Sequence, residues 1–128
     1  MPVIFDDARR FDVTVPVLVV GGGACGLVAA LAARDAGTEV LVLERDASPA
    51  GSTALSSGFI PASNTRFQRA LGLVDSPARF AADILRKNHG EADTRMVEAI
   101  CNASGPTIEW LADRHGIAFV LVGGFLYP

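Results

Sequence analysis

The residues best suited to chemistry in this 128-residue chain lie near its start, in Gly21-Gly22-Gly23-Ala24-Cys25-Gly26 and in Glu44. The first six fit the spacing G-x-G-x-x-G, which alone is a weak signal. In that pattern Gly21 makes a tight turn, Gly23 has no Cβ and lets a pyrophosphate approach the backbone, and Gly26 lets a helix lie close on a sheet. A helix opening at such a turn aims unpaired N–H groups and the positive end of its dipole at the phosphates. Glu44 follows Gly26 by 18 residues and can accept hydrogen bonds from a ribose 2′- or 3′-hydroxyl. A 2′-phosphate there would meet a carboxylate, so an NADP-type ligand is disfavoured. The bland alternative is a glycine-rich turn that merely joins two packed elements.

The elements around the motif decide between these. Val13 to Val20 is β-branched and almost wholly apolar, as a strand buried on both faces should be. Ala24 to Ala36 turns to alanine and leucine, with Gly37 as a helix stop. Glu39 to Leu43 is a second apolar strand with Glu44 at its tip. Residues 15–44 therefore predict a right-handed β-α-β unit, a dinucleotide-binding context for the glycines. NAD and FAD both fit such a unit.

Residues 45–66 are rich in glycine, serine and proline, and a loop of that length in a compact domain is usually functional. Its small hydroxylated stretch follows the fingerprint directly, which favours cofactor contact over a solvated loop. Residues 76–116 read as helical. Ser76 caps and Pro77 opens a first helix with Phe80, Ile84 and Leu85 as its stripe, closed by Gly90. A second helix is predicted from about Asp93 to Ala103, with Met96, Val97 and Ile100 inward. A third restarts at Gly105-Pro106, anchored by Ile108, Trp110 and Leu111 and ended by Gly116. Ile117 to Val122 reads as a last strand, broken by Gly123-Gly124. The fold class expected is α/β.

The stretch Val17 to Glu44 resembles the start of flavoproteins with the glutathione-reductase-like, Rossmann-type FAD fold. The loop Gly51-Ser52-Thr53-Ala54-Leu55-Ser56-Ser57-Gly58-Phe59-Ile60 is similar to that of the fumarate reductase/succinate dehydrogenase flavoproteins, relatives of urocanate reductases and 3-ketosteroid dehydrogenases. The resemblance covers residues 14–125, with its specific motifs in 17–60. It implies FAD as cofactor, with Gly21, Gly23, Ala24, Cys25 and Gly26 at the pyrophosphate. Glu44 and Arg45 would lie at the adenosine ribose and adenine. Gly51, Ser52, Thr53, Ser57 and Gly58 would line the pyrophosphate and the isoalloxazine. Two departures stand out. Gly58-Phe59 replaces a common Gly-Gly, and Ser52 stands where succinate dehydrogenases carry the histidine bonded to FAD, so the FAD is expected to be non-covalent. The implied activity is hydride transfer between flavin N5 and a carbon next to a carbonyl or carboxylate. No catalytic acid or base is assigned in 1–128. An NAD-dependent dehydrogenase domain and a non-catalytic nucleotide-binding half-subunit remain as alternatives.

Composition narrows the class. Charged residues make up 20 %, the net charge is −3 and the pI near 5.2, which speaks against nucleic acid and anionic membranes as partners. Met1 to Asp7 carries acids where a signal peptide would have bases, and no apolar run approaches the roughly 20 residues of a membrane span. Cys25 and Cys101 form neither a disulfide framework nor a metal pattern; both are expected to be packed small residues, in a protein of the reducing cytoplasm. His89 and His115 precede helix-ending glycines, where a cation suits the last turn. Trp110 reads as a core anchor rather than a flavin-stacking ring. Two strands and an apolar end at Gly123-Gly124-Phe125-Leu126-Tyr127-Pro128 predict that the chain packs against the remainder of a flavoenzyme, from the same gene product or a separate chain. That larger enzyme would take a small-molecule substrate.

Overall fold

The computed structural model describes residues 10–123. The readings made for Met1–Asp7 and for the end at 124–128 lie outside them. The chain divides into two compact units, Met1–Phe59 and Ile60–Pro128.

The first unit is the β-α-β motif. Strand β1 (Val17–Val20) and strand β2 (Val40–Leu43) pair in parallel, Val17 against Val40 through Val20 against Leu43. Helix α1 (Ala24–Asp35) connects them. Both strands are shorter than predicted. The partners of Val15 and Pro16 would be residues 38 and 39, which belong to the turn leaving α1, and Pro16 has no N–H to donate. The Ala36 N–H closes α1 on the Ala32 carbonyl, and Gly37 adopts φ +78°, the left-handed exit that glycine allows. Side chains alternate along each strand. Val17, Val19, Val40 and Val42 are half-buried, with Val19 under α1 at Gly26. Leu18, Val20, Leu41 and Leu43 are exposed, and Phe11, Val13 and Val15 flank them in a shallow apolar groove. The expected burial on both faces is thus met on one face, because the crossover supplies one helix and the first unit's described residues include no second layer.

The loop after β2 contains a single helical turn, α2 (Ser52–Leu55). In the second unit another short helix, α3 (Arg66–Ala70), was not anticipated by the loop reading. Its signal is the T-x-x-Q of a capping box: Thr65 N–H donates to Gln68 Oε1 at 2.8 Å, and Gln68 N–H donates to Thr65 Oγ1 at 3.2 Å. Helix α4 (Pro77–Lys87) starts as predicted, with Ser76 Oγ accepting from the Arg79 N–H and proline in the first turn.

Helix α5 (Thr94–His115) replaces the predicted pair, running unbroken through Gly105-Pro106. A proline inside a helix costs about 3 kcal/mol. One packed stripe offsets it: Val97, Cys101, Gly105, Ile108 and Leu111 are all buried along the helix. Gly105 is a contact rather than a break, since a Cβ there would lie 2.4 Å from the Ser63 carbonyl oxygen. Met96 and Ile100, expected inward, are exposed, each sitting one residue or about 100° from the stripe. Ala81, Val97 and Cys101 form the core with Phe80, Ile84 and Leu85 against them. Trp110 is half-buried and meets the His115 ring edge-on at 4.7 Å. His89 follows α4 in the left-handed region, and Gly116 caps α5 there. The strand expected at 117–122 carries no sheet pairing among the described residues. Phe119 packs edge-on against Phe67 at 6.4 Å. Among the described residues no helix is long and apolar enough to cross a membrane.

Candidate functional site

The glycine turn begins where β1 ends. The Gly21 N–H donates to the Leu43 carbonyl at 2.7 Å, extending the ladder, and Gly21 takes φ +107°, which L side chains rarely adopt. Gly26 lies in the first turn of α1, and a Cβ there would fall 2.1 Å from the Gly21 carbonyl oxygen and 3.1 Å from Val19 Cγ1. Its missing side chain is what lets α1 start directly over the strand. Gly23 differs from both. Its φ is −74°, and a Cβ would meet nothing nearer than Thr53 Oγ1 at 3.6 Å. Neither backbone strain nor packing within the chain demands glycine at 23, whereas a group approaching from outside would.

Helix α1 has no side-chain cap of its own, and the first N–H groups of a helix lack partners within it. One is met from the loop: the Ala24 N–H donates to Thr53 Oγ1 at 3.1 Å. Thr53 is presented by α2, which Gly51 begins and Ser56 closes, Ser56 Oγ donating to the Thr53 carbonyl at 2.8 Å. The Gly58 N–H donates to Ser56 Oγ at 3.2 Å, with Gly58 at φ +74°. Phe59 needs no such conformation, so this part of the loop requires glycine at 58 alone.

Glu44, one residue past β2, turns its carboxylate toward the glycine turn. Oε2 accepts from the Gly22 N–H at 2.6 Å and Oε1 from the Asp46 N–H at 3.1 Å. The backbone bond from Asp46, then that from Gly22, holds the carboxyl below the ordinary carboxylate value. Arg45 points outward, 90 % exposed, against Asp46 at 3.3 Å.

The structure therefore brings Gly21, Gly23, Ala24, Gly26, Glu44 and Thr53 together. Gly51, Ser52, Ser57 and Gly58 stay exposed and reach this place through the chain rather than by a described hydrogen bond. Cys25, expected to be packed, is exposed in the first turn of α1, because Gly26 is the residue turned to the strand. Cys101 is fully buried, and burial raises its thiol pKa. Two participants escaped sequence reasoning, Gly22 and Asp46. A third glycine in a motif that demands only alternate ones was the available signal for Gly22.

The arrangement can hold an anion at a helix N-terminus beside a fixed carboxylate, which is a demanding pairing unless one ligand carries both phosphate and hydroxyl groups. Comparison with known proteins supplies that ligand. Residues 16–124 match the family described as FAD binding domain. The chain is 38 % identical over 98 residues to the NADH:fumarate oxidoreductase of Klebsiella pneumoniae, covering 77 % of this chain and 11 % of that protein. It is 36 % identical over 105 residues to the urocanate reductase of Eggerthella lenta, covering 82 % and 17 %. Among solved structures it superposes on the 3-ketosteroid-Δ4-(5α)-dehydrogenase of Rhodococcus jostii with a TM-score of 0.76 at 34 % identity, covering 84 % of this chain and 22 % of that one. The chain thus spans under a fifth of the length of these two curated relatives. Glycine turn, carboxylate and threonine together lie within the matched segment, and the chain belongs to the FAD binding domain family.

Proposed function

We propose that residues 1–128 are the N-terminal portion of one FAD-binding domain, of Rossmann-type, glutathione-reductase-like build, in a flavin-dependent oxidoreductase of the fumarate reductase kind. The observation that carries this is the convergence, within the first unit, of the α1 N-terminus, the Glu44 carboxylate and the Thr53 hydroxyl from three segments of chain. Gly21, Gly23, Ala24, Cys25 and Gly26 would hold the pyrophosphate, the α1 dipole offsetting its charge. Glu44 would accept the adenosine ribose hydroxyls, with Arg45 on the adenine side. Gly51, Ser52, Thr53, Ser57 and Gly58 would line the path from pyrophosphate to isoalloxazine, and Ser52 leaves the FAD non-covalent.

Bound FAD would supply hydride transfer at N5 to or from a carbon beside a carbonyl or carboxylate. The names of the relatives, which act on fumarate, urocanate or a 3-ketosteroid, share that feature and support a conjugated acid or ketone as substrate class. The open apolar face of β1 and β2 supports packing against the rest of the flavoenzyme. An exposed, unpaired Cys25 suits a reducing, cytoplasmic setting. The test is the absorbance spectrum of the full-length polypeptide purified without added nucleotide. Flavin bands that bleach under an anaerobic reductant and return on addition of an enoate are the expected result. A colourless protein that binds NAD instead would overturn the assignment.

A further inference from the structure

Four glycines shape the turn, and three are accounted for. Gly21 is fixed by its φ, Gly26 by the Gly21 carbonyl, and Gly23 by open space where a ligand would approach. Gly22 has no left-handed backbone to explain it, and it is buried. A Cβ at 22 would lie 3.0 Å from Glu44 Oε2, 3.5 Å from Glu44 Cβ and 3.4 Å from Pro49 Cγ. Its N–H is also the donor to that same Oε2, at 2.6 Å. A side chain at 22 would therefore crowd Glu44 and Pro49, and the Glu44 carboxylate would have to shift to admit it.

We infer that Gly22 is a positioning residue, setting the Glu44 carboxylate for the ribose of an adenine dinucleotide. The inference rests on the FAD site proposed above and adds a residue that the fingerprint leaves as "x". A carboxylate offers about four lone-pair positions. The Gly22 and Asp46 N–H groups engage one on each oxygen, leaving one on each for the ribose 2′- and 3′-hydroxyls. The two backbone donors remove the rotational freedom of the side chain before ligand arrives, which is how preorganisation raises affinity. They also keep the group charged. A methyl at 22 pushes on the free end of a flexible side chain, so it displaces the carboxylate while sparing the strand and helix.

The experiment is a double-mutant cycle on the full-length flavoenzyme, with FAD affinity of the apoprotein read by quenching of flavin fluorescence. Gly22→Ala should weaken FAD binding about tenfold, and Gly22→Val further, as expected for a lost charge-assisted hydrogen bond. In a Glu44→Ala background neither substitution should weaken it more. The preference for ADP over 2′,3′-dideoxy-ADP should shrink in Gly22→Ala as it does in Glu44→Ala, a readout that loss of stability alone would leave unchanged. Folding of Gly22→Val only when Glu44 is also replaced would support the same conclusion. The inference is overturned, with the ribose site intact, if Glu44→Ala weakens FAD binding while Gly22→Ala does not. Equal losses in both backgrounds, or failure of both Gly22 variants to fold in either, would also overturn it. FAD binding untouched by Glu44→Ala would refute the ribose site itself.

Discussion

The Ala24 N–H at the start of α1 donates to the Thr53 hydroxyl at 3.1 Å, across 29 residues of sequence. A hydroxyl can accept one hydrogen bond and donate another at once. Thr53 can thus stay on the helix and give its own proton to a phosphate oxygen. Thr53→Val keeps the shape and removes both functions, so FAD affinity should fall about tenfold, while Thr53→Ser should hold it within about threefold. Fluorescence titration of the apoprotein with FAD checks both.

Acid should expose the role of Glu44. Its folded-state pKa is depressed by backbone donors, so its contribution is present above the ordinary value of 4.5 and is lost as pH falls through the lower, folded value. FAD affinity should stay level from neutral pH down to the ordinary value of 4.5 and fall only below it. Glu44→Ala should bind FAD roughly tenfold more weakly at neutral pH and lose this acid limb. An acid limb unchanged in Glu44→Ala would assign it to another group.

Flavin should leave the denatured protein completely. A serine hydroxyl at 52 is too weak a nucleophile to attack the flavin ring without an adjacent base, and Ser52 is exposed at the start of α2. Trichloroacetic acid precipitation should give a white pellet and a yellow supernatant. Colour retained in the pellet would show a covalent link.

In the second unit, Gly105→Ala and Pro106→Ala should act in opposite directions although they are neighbours. The first drives a Cβ to within 2.4 Å of the Ser63 carbonyl and should cost about 1–3 kcal/mol. The second returns an N–H donor to the Asn102 carbonyl and should raise stability. Thermal unfolding, at roughly 4–8 °C per kcal/mol for a small domain, separates the two.

The parts legible in the sequence were those governed by local chemistry. Gly21, Gly23 and Gly26 could be placed from their spacing, and Ser76-Pro77 and Gly116 from capping rules. Glu44 could be placed because a strand before it and a fingerprint behind it left one acidic residue at the tip. What failed was set by distant contacts. Gly105-Pro106 carries every local sign of a helix break, yet packing of Val97, Cys101, Ile108 and Leu111 on one stripe keeps α5 whole. The last strand at 117–122 was apolar enough to pair but found no partner among the described residues. Cys25 and Gly22 could not be read because a motif gives spacing and not which side of the turn each residue faces.

The bonds that shape the turn join residues far apart in sequence, 22 residues from Gly22 to Glu44 and 29 from Ala24 to Thr53. Neither can form until α1 has docked and β2 has aligned with β1. Both bonds close long loops, so the glycine turn is expected to assemble late in folding rather than to seed it. A ligand that binds only this assembled state stabilises it by mass action, in proportion to the logarithm of its concentration over Kd. If FAD is that ligand, resistance of this unit to proteolysis should rise with the concentration of free flavin.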